Sequence, residues 1–161
     1  MRVKLLAVGR LKRGGGEADL AARYHERFDA AGRQIGLGPL AQVELAESKA
    51  GDVASRRDDE AQRLLGRADP AARRIVLDEH GRKLSSTAFA DLIGRLRDDG
   101  VAETAFFIGG PDGHGAALLE SADERLSLGA MTLPHGIARV VLLEQLYRAV
   151  TILSGHPYHR A

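Results

Sequence analysis

Cysteine is absent from this sequence. Disulfides, thiolate zinc sites, iron–sulfur clusters and thiol nucleophiles are therefore excluded, and the chain suits a reducing compartment. Long apolar runs are missing too: no segment approaches the ~20 residues of a membrane span. No charged leader with an apolar stretch and cleavage site is seen at Met1-Arg2-Val3-Lys4-Leu5, which reads directly as a strand, so a cytoplasmic location with no membrane partner is expected. Internal repeats, a G-x-S-x-G elbow, a Gly-Lys-Ser/Thr phosphate loop and a G-x-G-x-x-G fingerprint are all lacking. A serine hydrolase and a dinucleotide or nucleoside-triphosphate site are poorly supported.

What is present reads as one domain over residues 1–161, with 44% apolar and 28% charged residues. A chain of this size buries roughly 70% of its unfolded surface without staples. Net charge is only +1, but the cations are uneven. Arg2, Lys4, Arg10, Lys12 and Arg13 face no acid within residues 1–13. Arg125, Arg139, Arg148 and Arg160 face Glu144 alone within residues 125–161. If the two ends meet they form a phosphate-binding face; alternatively, the preference for Arg over Lys reflects genome base composition.

Strand-like and helix-like segments alternate. Residues 3–8, 40–45, 75–77, 105–108 and 126–133 read as strands. Helices are expected over 17–31, 52–66, from Ser85 or Ser86 to Gly100, over 115–124 and over 137–154. Such spacing predicts an α/β fold of about five strands, mostly parallel, with helices on both faces. Ligands of such sheets sit beyond the carboxyl ends of strands, which selects the turns after Leu77, Ile108 and Leu133. The last helix carries more apolar width than one sheet face needs, so a homodimer is expected.

Gly109-Gly110-Pro111-Asp112-Gly113 follows a buried strand, where glycines let a ligand approach the backbone; a plain tight turn is the alternative. In Leu128-Gly129-Ala130-Met131-Thr132-Leu133-Pro134, Gly129 and Pro134 weaken a ladder. The freed backbone groups could read a base edge, or the segment is an edge strand. Asp78, Glu79 and Asp112 leave paired-carboxylate chemistry open. His156 and His159 lack the spacing and carboxylate of a metal site, so none is expected. Tyr158, His159 and Arg160 suit base stacking and phosphate binding, or belong to a frayed terminus.

Taken in order, Ile108–Gly113, Leu126–His135, Arg139-Val140, Glu144-Gln145-Leu146-Tyr147-Arg148-Ala149 and His156-Pro157-Tyr158-His159-Arg160 resemble the RlmH (YbeA) family of SPOUT-class RNA methyltransferases. Leu6-Ala7-Val8-Gly9 and Leu77-Asp78 with Gly81 and Lys83 also fit, so the resemblance spans the chain. Two positions depart: Gly129 stands where serine is frequent, and Gly136 where a larger residue is common. The resemblance implies a SPOUT-type sheet with a C-terminal trefoil knot, which periodicity does not reveal. It implies S-adenosylmethionine-dependent methylation of N3 of a pseudouridine in 23S ribosomal RNA, by a homodimer acting on the assembled ribosome. Leu77, Gly109, Gly110, Leu128, Gly129, Ala130, Met131, Thr132 and Leu133 would then bind the cofactor. His159 is the candidate proton acceptor, Arg160 and Arg139 the candidate cations, and Tyr158 the residue that positions the base. Two rival classes are a non-catalytic ribosome- or RNA-binding module and a small nucleotide hydrolase.

Overall fold

β1 (Arg2–Val8) sends Val3, Leu5 and Ala7 to one face and Leu6 and Val8 to the other, as the two-residue period of a strand requires. The computed structural model describes residues 1–160, and β1 is one of five parallel strands in the order β2-β1-β4-β3-β5. The others are β2 (Leu40–Leu45), β3 (Arg73–Lys83), β4 (Glu103–Ile108) and β5 (Glu124–Ser127). Every residue of β4 is buried, because it lies mid-sheet with helices on both sides. On one side, α1 (Gly16–Gly32), α3 (Ser86–Asp98) and α5 (His135–Leu153) pack Phe28, Phe89, Ile93, Leu142 and Leu146 against Leu5, Ile75 and Phe106. On the other, α2 (Val53–Leu65) and α4 (Ala116–Glu120) bring Ala61, Leu64 and Leu118 to Leu6, Val76 and Phe107.

Local signals account for most boundaries. Asp52 caps α2 by accepting from Ser55 N at 2.9 Å, and Ser85, rather than Ser86, caps α3 through Ala88 N at 3.1 Å. Gly100, at φ +77°, follows α3 as a left-handed stop. Among the described residues no helix is long and apolar enough to cross a membrane.

Of the expected boundaries that differ, four have a tertiary or loop-level reason. α5 begins at His135, not Ile137, because the Pro134 carbonyl already accepts Ala138 N at 2.9 Å. α4 ends at Glu120: the following chain is drawn to the sheet, where Asp123 Oδ2 accepts Arg74 N at 2.7 Å. β5 ends at Ser127 instead of running to Leu133. There Ser127 Oγ donates to Gly129 O at 2.9 Å, and Gly129 adopts φ +147°, turning the chain out of the sheet.

The fourth difference is the largest. β3 was expected over 75–77 and extends to Lys83, because its pairing with β5 resumes after an excursion. Leu126 is opposed first by Leu77 and then by Arg82. Gly81 makes this return: a Cβ there would lie 2.7 Å from backbone atoms of Arg125 and Leu126. Two stretches of main chain thus touch where only glycine fits.

Candidate functional site

The excursion of β3 after Leu77 and the carboxyl ends of β4 and β5 border a cleft of about 720 Å³, within the range of roughly 300–1,000 Å³ typical of small-molecule sites. Leu77, Gly109, Gly110, Leu128, Gly129, Met131, Thr132 and Leu133 line it, so the segments singled out in the sequence converge. Ala130 sits on the same loop but is exposed and does not line the cleft. Met131 is 81% exposed, an unusual state for its side chain. Among the described residues, no hydrogen bond engages the backbone of residues 130–133. Their N–H and C=O groups remain free beside the cavity, because the chain has left the ladder.

The glycine loop is held from below by α2. Arg56 Nε donates to Asp112 Oδ2 at 2.6 Å, and its second nitrogen reaches Oδ1 at 3.4 Å. The Arg56 guanidinium holds the Asp112 carboxyl below its usual range, chiefly through that hydrogen bond. Arg57 donates to the Asp112 carbonyl. Glu60, only 5% exposed, takes Ser48 N at 2.8 Å and lies under Gly110. A Cβ on Gly110 would meet Val8 at 3.0 Å and Glu60 at 3.2 Å. Gly110 thus packs closely on β1 and α2 as well as lining the cleft, so a side chain there would have to displace Val8 or Glu60. This clamp was not legible in the sequence, since α2 and the loop are over fifty residues apart.

His114 was also missed. It lines the cleft, and its Nε2–H donates to the Leu77 carbonyl at 2.8 Å, joining the walls that follow β3 and β4. Its position directly after a glycine loop at a strand's carboxyl end was the available signal.

The four residues expected to serve the substrate lie elsewhere. Arg139 is 1% exposed, pairs with Glu44 and donates to the Gly9 carbonyl at 2.9 Å. Contrary to expectation it is a tie between α5 and the ends of β1 and β2, with no exposed edge for a substrate. Tyr158 folds back onto α5: its hydroxyl donates to Glu144 Oε1 at 2.9 Å, and its ring centroid is 4.8 Å from that of Tyr147. Burial, then hydrogen bonding with Tyr24 and Glu144, raises the Tyr158 hydroxyl above the ordinary phenol range, so it does not act as a base near neutral pH. His159 Nδ1 accepts from Arg148 at 3.3 Å, and Arg160 is exposed. Glu144 and Arg148 stand nine and thirteen residues along α5 from His135 at the cleft, about 14–20 Å at helical rise. Within one chain, tail and cleft do not meet.

The family model described as "Predicted SPOUT methyltransferase" matches residues 1–159 of this chain. The chain belongs to the SPOUT methyltransferase family. Among curated relatives, proteins named "Ribosomal RNA large subunit methyltransferase H" are similar over the whole length. That of Brucella anthropi is 51% identical and that of Bradyrhizobium diazoefficiens 50%, each covering 100% of both chains. That of Rhizobium etli is 52% identical over 99% of both. The crystal structure of a probable methyltransferase from Bordetella pertussis Tohama I superposes with a TM-score of 0.51 at 18% identity, covering 92% of this chain and 96% of that one. That likeness supports the α/β fold.

Enzymes of the SPOUT methyltransferase family use S-adenosylmethionine. The cleft fits such a molecule on its own evidence: an adequate volume, unpaired backbone groups on residues 130–133, and apolar walls from Leu77, Leu128 and Leu133. Bound there, S-adenosylmethionine supplies an electrophilic methyl group. Among the described residues no group of three His, Asp or Glu is placed to hold a metal ion.

Proposed function

We propose that this methyltransferase methylates N3 of a pseudouridine in large-subunit ribosomal RNA, acting in the cytoplasm as a homodimer on the assembled ribosome. The observation that carries the ribosomal RNA assignment is full-length identity of about 50% to relatives named for methylating it. The base, the nitrogen, the assembled particle and the knot rest on the motif resemblance.

The division of labour follows from placement. Leu77, Leu128 and Leu133 would enclose the flat ring of the cofactor, and the free backbone groups of residues 130–133 would read its edge. The clamp of Arg56, Arg57 and Glu60 keeps the Gly109–Gly113 loop in one conformation, so alignment of methyl and acceptor is paid for during folding. An imide nitrogen must lose its proton to become nucleophilic. His159 is the residue to accept it, at Nδ1: while that nitrogen accepts from Arg148 the neutral ring carries its own proton on Nε2, so Arg148 gives up the contact as the imide proton arrives. Arg160 balances the developing anion, and Tyr158 braces the tail on Tyr147.

These tail residues reach a cleft only from a second subunit, which supports the homodimer. Light scattering is expected to give twice the 17.3 kDa chain mass at micromolar concentration; a monomer would sink the shared site. The function itself is tested by mass spectrometry of large-subunit RNA from cells with and without the protein. One methyl group on a pseudouridine should vanish without it. An unchanged methylation map refutes the assignment and favours a non-catalytic RNA-binding module.

A further inference from the structure

The cleft wall contains a histidine with one ring nitrogen bonded and the other buried without a partner. His114 is half-buried, its Nε2–H is committed to the Leu77 carbonyl at 2.8 Å, and its Nδ1 is buried without a partner. Its ring also lies against the glycine loop, since a Cβ on Gly109 would meet His114 Cε1 at 3.1 Å. A second proton would go to Nδ1, where no acceptor exists. The neutral imidazole is thus the form the architecture accommodates.

The charged and titratable groups around it do not reverse this. From β3 come Asp78 and Glu79, and Asp78 is bridged at 3.9 Å by Arg125 of β5. From the loop comes Asp112, whose carboxylate is already paired with Arg56 of α2 while Arg57 holds its backbone carbonyl. Glu60 lies under Gly110, and His135 of α5 lines the same cleft. Burial, the larger influence, holds the His114 ring below the ordinary imidazole range despite the opposing Leu77 hydrogen bond and Asp78 charge.

We propose that His114 is a specificity-determining residue: as a neutral imidazole in the cleft wall it admits the cationic sulfonium of S-adenosylmethionine, and when protonated it repels that cation while tolerating the uncharged thioether of S-adenosylhomocysteine. The proposal rests on the cleft binding S-adenosylmethionine. The two ligands differ by one methyl group and one positive charge, so comparing them isolates the electrostatic effect from changes of cleft shape. Two like charges that share one partly enclosed cleft oppose each other more than they would in bulk water.

The test is calorimetric titration of each ligand into the homogeneous protein between pH 7.5 and 5.5. Acidification should raise the ratio of the S-adenosylmethionine to the S-adenosylhomocysteine dissociation constant by about threefold or more, since each pH unit below a linked group's pKa weakens binding up to tenfold. In His114→Gln, whose amide N–H can still donate to Leu77, the ratio should stay level. A level ratio in the wild type, or the same rise in His114→Gln, overturns the proposal, the latter pointing to His135. Should the variant not fold, NMR titration of the His114 ring in the wild type decides. S-adenosylmethionine should move its titration to lower pH more than S-adenosylhomocysteine does, and equal movement refutes the idea. Failure of both ligands to bind at pH 7.5 overturns the cofactor reading itself.

Discussion

Deletion of residues 157–161 is expected to leave S-adenosylmethionine affinity within about twofold of wild type while methyl transfer falls about a thousandfold, the scale of losing a positioned proton acceptor. Tyr158, His159 and Arg160 are removed, yet none lines the cleft. His156 is retained because its N–H donates to Thr151 O at 2.9 Å and, with Gly155 at φ +70°, closes α5. The deletion exposes Tyr147 and frees Glu144 and Arg148, a modest surface loss. Mixing subunits shows where the tail acts. A Gly110→Val chain, whose side chain would push the loop off Val8 and Glu60, lacks a usable cleft but has an intact tail. Co-refolded with the truncated chain, it should restore transfer at one site of the heterodimer. No restoration would mean that the tail serves its own subunit, and wild-type transfer by the truncation alone would make it a dispensable end.

Gly81→Ala is expected to destabilise the protein by about 3 kcal/mol or more, because the new methyl group meets main chain on β5 rather than a side chain that can rotate away. For a domain of this size that corresponds to a fall of roughly 10 °C in Tm. The excursion that Gly81 closes carries Asp78 and Glu79 along the cleft, so ligand affinity should fall with stability. Gly16→Ala is the control: it has open space at its Cβ and should be neutral within about 0.5 kcal/mol. Equal melting temperatures for the two variants would show that β3 and β5 can separate at this crossing without cost.

Gly81 also marks a limit of reading by pattern. The sequence pattern predicts a strand only over 75–77 and leaves Gly81-Arg82-Lys83 outside it; in the fold Arg82 and Lys83 make a second pairing of β3 with β5. Periodicity reports which residues are apolar and at what interval, and a polar stretch that pairs through its backbone leaves no such trace. The same holds for Arg139. Its place in a basic C-terminal segment suggested a substrate cation, and the buried partner that claims it, Glu44, lies 95 residues away. Nothing local distinguishes a buried, paired guanidinium from an exposed one.

Other features were legible because they are local. β2 spans Leu40–Leu45 as its alternation predicts, and α1, α2 and α3 end within about a residue or two of their capping and glycine signals. The cleft was legible for a related reason. Chain direction and strand–helix alternation force a parallel sheet, and a parallel sheet gathers the loops after its strands along one edge. The turns after Leu77 and Ile108 could thus be assigned to one site from order alone, whereas Leu128, inside the expected strand over 126–133, joined it through the family resemblance. By itself, then, the sequence determined the fold class, the edge that carries the site and, through its ordered motifs, the methyltransferase family. Only the tertiary structure decided which charges are spent on structure, that the tail rests some 14–20 Å along α5 from the cleft of its own chain, and that β3 returns across β5 at Gly81. Each of those outcomes depends on contacts between residues far apart in the chain, whose energies arise only once packing has brought them together.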